Sequence, residues 1–219
     1  MAYKAQTEMI EVTDEAQSKE KEGVIYLSKP YVFEGKEYAE IDLSRLKSLT
    51  IMDAIAVQKK LINKGEVAAA VICETTTAFA RELAAKAAEM PIEFFELMPR
   101  GLSKRIVAAV REVYMGGDTA DDCVMKLNRP YNFKSTIGGA IYEEIDLSGI
   151  ADLNSLNESE AENRMTRAGF VVTENSLNYY YACILASMGT KLPEEFFTGL
   201  PIEELVKLKN AVNNAGFFE

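Results

Sequence analysis

Histidine and tryptophan are both absent from the 219 residues. Without imidazole there is no Ser-His-Asp or Cys-His catalysis, no imidazole proton transfer near neutral pH and no histidine-containing metal site. Carboxylate chemistry, lysine chemistry and cysteine-only metal sites survive this exclusion. Cysteine is scarce too: Cys73, Cys123 and Cys183 stand far apart, and no Cys-x-x-Cys pair exists. A zinc ribbon or thioredoxin-like motif is therefore not expected. Cys73 and Cys183 sit in apolar contexts and read as small core residues. An odd count without framework spacing points to a reducing compartment.

Positive charge is in deficit. Lys plus Arg number 24 against 34 Asp plus Glu, a net charge of −10 and a pI near 4.8. A chain that neutralised phosphates would need the opposite sign, so neither nucleic acid nor an anionic membrane is an expected partner. Long apolar runs are missing as well. The longest spans residues 67–73, against the roughly 20 residues that cross a bilayer. The first residues, Met-Ala-Tyr-Lys-Ala-Gln-Thr-Glu, hold no apolar segment of the kind that directs secretion. The expected location is the cytoplasm.

What the chain does contain is 48% hydrophobic residues, enough to bury a sizeable core, and a repeat. Leu27, Pro30, Tyr31 and Phe33 recur as Leu127, Pro130, Tyr131 and Phe133. Tyr38, Glu40, Ile41, Asp42, Leu43 and Ser44 recur as Tyr142, Glu144, Ile145, Asp146, Leu147 and Ser148. Pro91, Glu93, Phe94, Phe95 and Pro99 recur as Pro193, Glu195, Phe196, Phe197 and Pro201. Matched blocks in one order identify a duplicated unit. The expected organisation is an acidic, mobile tail at 1–22, a first unit at 23–115, a linker at 116–122 and a second unit at 123–219. Each unit is long enough to fold alone. Charge divides unevenly: the tail carries −3, the first unit with the two glycines after it +1, and the remainder −8. The copies share a pattern but not a surface.

Each unit opens with a hairpin. An apolar strand over 24–33, a turn at Glu34, Gly35 and Lys36, and an alternating strand follow one another. The alternation puts Ala39, Ile41 and Leu43 on one face and Tyr38, Glu40 and Asp42 on the other. In the second copy the tip, residues 134–139, is longer. Beyond the hairpin the pattern is helical. Thr50 with Asp53 starts a helix striped by Ile51, Ala54, Ile55, Leu61 and Ile62, and Gly65 and Gly169 mark helix ends. Phe79, Leu83, Ala87 and Met90 line the next helix, matched by Tyr181, Leu185, Gly189 and Leu192. A short helix behind Pro91 or Pro193 holds each Phe-Phe pair, and a last amphipathic helix carries Leu102, Ile106, Val110 and Val113, echoed by Leu205, Leu208 and Val212. The expected fold class is α+β, mainly helical: two tandem homologous units, each a β-hairpin followed by about four helices.

No residue pattern demands chemistry. Glu143, Glu144 and Asp146 read as a solvated strand face. Glu158, Glu160 and Glu162 read as carboxylates near a helix N-terminus. Asp118, Asp121 and Asp122 lack the glycine and terminal glutamate of a calcium loop. No phosphate-binding glycine motif occurs. Asn157, in an Asn-Glu-Ser triplet, reads as a helix cap. No catalytic, cofactor-binding or metal-ligating residue is assigned, and no cofactor is expected. The candidate partner-binding residues are Phe94, Phe95, Phe196 and Phe197. Neighbours on a helix point about 100° apart, so one ring of each pair should enter the core, leaving the other for a neighbouring helix or a docking patch.

At these residues the sequence resembles a known family. The Lys-Pro-Tyr-Val-Phe-Glu-Gly-Lys-Glu-Tyr start at 29–38, the Ile-Asp-Leu-Ser that follows, the Leu-Pro-x-Glu-Phe-Phe block at 192–197 and the closing helix are similar to bacteriophage tail assembly chaperones. The likeness runs through both units. It implies a small, acidic, non-enzymatic protein of the bacterial cytoplasm that binds the tape measure protein and brings tail tube proteins to it. A single unit is usual in that family; two occur here. The pair replaces a homodimer or divides two binding tasks, and further homo-oligomerisation stays open. The competing reading is a structural tail component retained in the particle.

Overall fold

The computed structural model describes residues 21–115, 123–135, 138–170 and 174–215. The tail up to residue 20 and the 116–122 linker lie outside the described residues. The chain is α+β and mainly helical, with two antiparallel hairpins that each precede a set of helices.

The first hairpin pairs β1 (Val24–Phe33) with β2 (Lys36–Asp42). Its tight turn places Glu34 and Gly35 at φ 49° and 77°, the two successive left-handed residues that match the twist of the flanking strands. The second pairs β3 (Val124–Ser135) with β4 (Gly138–Asp146). In both hairpins the register shifts at the same place, between Tyr26 and Tyr31 and between Lys126 and Tyr131. Pro30 and Pro130 fall inside these shifts, where the missing N–H breaks no ladder bond. The irregularity corrects one expectation. Tyr38 and Tyr142 do not point outward with the acidic residues. Each ring turns inward, its centroid 4.9 Å from that of Phe94 and 4.7 Å from that of Phe196, respectively. Ala39 is exposed instead, while Ile41 and Leu43 are buried as the alternation requires.

The helices begin where local chemistry places them. At α1 (Ile51–Asn63) the Asp53 carboxylate accepts from the Thr50 N–H at 2.8 Å, satisfying a donor the helix cannot. After Gly65, at φ 81°, comes the short α2 (Val67–Ile72), which leaves Val67, Val71 and Ile72 exposed. Then come α3 (Thr77–Ala88), α4 (Ile92–Glu96) and α5 (Arg100–Met115). Thr76 caps α3 by accepting from Phe79 N–H at 3.1 Å.

The second unit repeats the plan with α6 (Ser155–Arg167), α7 (Tyr179–Thr190), α8 (Glu194–Thr198) and α9 (Leu205–Asn214). The residue capping α6 is Asn154, whose side chain accepts from Leu156 and Asn157 N–H. Asn157, expected to cap, lies three positions into the motif and closes the box by accepting from Asn154 N–H at 3.0 Å. Buried residues of both units form a single hydrophobic cluster. Among the described residues no helix is long and apolar enough to cross a membrane.

Candidate protein-binding surface

The two Phe pairs are the hubs of their units. Phe94, Phe95, Phe196 and Phe197 are at most 3% exposed, so both rings of each pair lie inside. Phe94 meets Tyr31, Phe33, Tyr38 and Phe95 edge to face at 4.9–5.3 Å. Phe196 meets Tyr131, Phe133, Tyr142 and Phe197 in the same manner at 4.7–5.3 Å. Edge-to-face rings gain about 0.5–1.5 kcal/mol per pair beyond burial. The Tyr31 hydroxyl adds a bond to the Phe94 carbonyl at 3.0 Å. The hairpin is thus anchored to the helices through these rings. In this conformation none of the four rings is open to a partner.

The units meet through faces that are not equivalent. Before α1, Leu49 and Ile51 pair with the segment ahead of α9: Ile51 N–H donates to the Leu200 carbonyl and Ile202 N–H to that of Leu49, both at 2.9 Å. Thr50 and Pro201 form the antiparallel bridge between them. Further along α1, buried Gln58 donates to the Leu177 carbonyl at 2.9 Å and accepts from Tyr179 N–H at 3.1 Å. Glu74 completes the junction with an ion pair to Lys209 and a bond from the Tyr179 hydroxyl at 3.1 Å. Burial works to raise the Glu74 carboxyl, but the Lys209 ammonium prevails and holds it below its usual value. Burial pushes the neighbouring Cys73 thiol up to about 12, which keeps it protonated and unreactive.

A two-fold arrangement would repeat each of these contacts with the units exchanged. Here the start of the first unit's α1 holds the segment ahead of the second unit's α9, and the reverse contact is not made among the described residues. The packing is head to tail. In the second unit the groove equivalent to the filled one is an open cleft of about 450 Å³, lined by Ile150, Leu153, Glu158, Glu174, Tyr181 and Val212 among others. In the first unit the segment equivalent to the inserted one, around Arg100, is exposed.

Side chains follow this difference. Ile51, Ala54 and Ile55 are buried at the junction, while their equivalents Ser155, Glu158 and Ser159 are exposed. Ile202 and Leu205 are buried, while their equivalents are exposed Arg100 and half-buried Ser103. Burying an aliphatic side chain such as Ile202 contributes about 1.5–3 kcal/mol. A solvent-exposed ion pair contributes about 1 kcal/mol or less.

The remaining acidic candidates are dispersed. Glu143, Glu144 and Asp146 face solvent on β4. Glu160 pairs with Arg164 at 3.0 Å, and Glu162 accepts from the Asn175 amide at 2.7 Å. Among the described residues no group of three His, Cys, Asp or Glu is placed to hold a metal ion. Glu158 and Glu174 both line the second unit's cleft, and Glu22, Glu112 and Glu203 line another cleft. Gln58, Glu74, Tyr179 and Lys209, which build the junction, carry no local sequence signal. Comparison with family models, with curated proteins and with solved structures finds no match for this chain.

Proposed function

We propose that this chain is a phage or prophage tail assembly chaperone, which binds the tape measure protein and brings tail tube subunits to it without catalysis. The observation that carries the reading is the asymmetry of the duplicated unit. One fold is presented twice, with one groove consumed by the junction and the other left as an open, acid-lined cleft. A protein that must hold one partner and recruit another needs two unlike surfaces on one body, and reversible holding of helical segments needs a groove rather than reactive groups. The residues behind the family resemblance support it further. In both units the Pro-Tyr-x-Phe strand and the Phe-Phe helix pack on one another, so the matched blocks belong to one structural unit.

Co-expression with the tape measure protein of the same tail gene cluster tests the proposal. The expected result is a soluble complex that pulls down through either partner. A tape measure protein whose solubility does not change would remove the reading. Mass spectrometry of finished particles checks the other half: the chaperone is expected to be absent, and stoichiometric retention would make it a structural component.

A further inference from the structure

The junction between the units is a template. It comprises an antiparallel bridge, two backbone hydrogen bonds and the burial of Ile202 and Leu205. The backbone parts of that template exist a second time. Among the described residues no backbone group pairs with the Ser155 N–H or the Leu153 carbonyl, nor with the Arg100 N–H or the Met98 carbonyl. These are the four atoms equivalent to Ile51 N–H, Leu49 O, Ile202 N–H and Leu200 O. A head-to-tail contact leaves one unused face at each end, and such a contact can propagate from copy to copy.

The side chains at both unused faces work against this. Ser155, Glu158 and Ser159 replace Ile51, Ala54 and Ile55 on the groove side, and Arg100 and Ser103 replace Ile202 and Leu205 on the inserting side. Terminal units of stacked-repeat proteins carry polar outer faces for the same reason. The charges are opposite in sign, Arg100 against Glu158, but exposed pairs do not replace the aliphatic burial that holds the internal junction.

We propose that the cleft of the second unit and the start of α5 in the first unit are matched docking faces for a second copy of this chain, blocked by Ser155, Glu158 and Ser159 on one face and by Arg100 and Ser103 on the other. The chain is thereby a terminated pair, and its open cleft stays free. The inference stands apart from the chaperone reading, because it concerns copies of this chain alone.

Two variants test it by analytical ultracentrifugation. One restores the inserting face (Arg100→Ile with Ser103→Leu), the other the groove (Ser155→Ile, Glu158→Ala and Ser159→Ile). The wild type and each variant alone are expected to sediment as single 24.3-kDa chains, and an equimolar mixture of the two variants as a species of twice that mass. Circular dichroism and thermal melts confirm that both variants fold. A third protein, the groove variant with Pro rather than Ile at 155, removes the docking N–H together with part of the aliphatic side chain, while proline is tolerated at the first helical position. It should bind the inserting variant about tenfold more weakly. Association of the wild type at the same concentration would overturn the proposal. So would a mixture of folded variants that stays monomeric, or an affinity indifferent to proline at 155.

Discussion

The first and second units use one hub and two different sets of surroundings. Around Phe94 and Phe196 the same four ring neighbours recur with centroid distances that agree within a few tenths of an ångström. A cation from the last helix straps each hairpin at its irregular strand: Arg105 donates to the Tyr26 carbonyl at 3.0 Å, Lys207 to that of Lys126 at 2.8 Å. Away from the hub the units part. Lys207 is buried with Glu204 at 3.0 Å, while Arg105 is exposed. The α1 helix is packed on two sides, by α3 and by α7, whereas α6 packs on α7 and shows Leu156 to solvent. The comparison separates what folds a unit from what joins two: aromatic packing is common to both, and the aliphatic and ionic junction residues belong to one side each.

The largest effect expected is at the hubs. Phe94→Ala and Phe196→Ala should each cost about 3–5 kcal/mol in denaturant unfolding. Similar losses would confirm that both hubs have equal weight, and a large inequality would break the equivalence drawn above. Next comes the junction. Lys209→Met leaves the half-buried Glu74 carboxylate without its cation and should cost up to about 3 kcal/mol at neutral pH.

The pH dependence follows from the same pair. A carboxyl held below its unfolded value contributes stability above that unfolded value and loses it as pH falls through the folded one. Wild-type stability should therefore decline on acidification through this group. In the Lys209→Met variant only the Tyr179 hydroxyl and a backbone N–H still oppose the effect of burial on Glu74, so the decline on acidification should be smaller than in the wild type. Unfolding free energies measured at neutral and mildly acidic pH for both proteins give the difference directly.

A smaller difference sharpens the contrast between α3 and α7. Gly189 occupies the position of Ala87, and a Cβ there would lie 2.6 Å from Ile150 Cγ1 and 2.8 Å from its backbone nitrogen. Gly149 approaches as closely from the other side. The turn before α6 therefore sits nearer α7 than its counterpart sits to α3. Gly189→Ala should cost about 1–3 kcal/mol through overpacking, measured as a fall in the unfolding midpoint. A neutral substitution would mean that this approach is looser than described.

Local features of this fold were readable from the residues, and the assembly of the units was not. Both hairpins, the Thr50 start and the glycine ends at 65 and 169 depend on residues a few positions apart, and each appears where the pattern puts it. The inward turn of Tyr38 needed the register shift at Pro30, which simple alternation does not encode. The 67–73 run is the longest apolar stretch of the chain, yet α2 leaves three of its aliphatic side chains in solvent. The head-to-tail junction joins residues more than 100 positions apart, such as Gln58 with Tyr179 and Glu74 with Lys209. Only a comparison of equivalent positions hints at it: Ile51, Ala54 and Ile55 are aliphatic where Ser155, Glu158 and Ser159 are not.

Amide hydrogen exchange read residue by residue tests the head-to-tail packing most directly. The Ile51 and Ile202 N–H groups bridge the units, whereas their equivalents Ser155 and Arg100 have no such bond, so the first pair should exchange far more slowly than the second. Four amides exchanging alike, or Ser155 and Arg100 protected in their place, would contradict the arrangement.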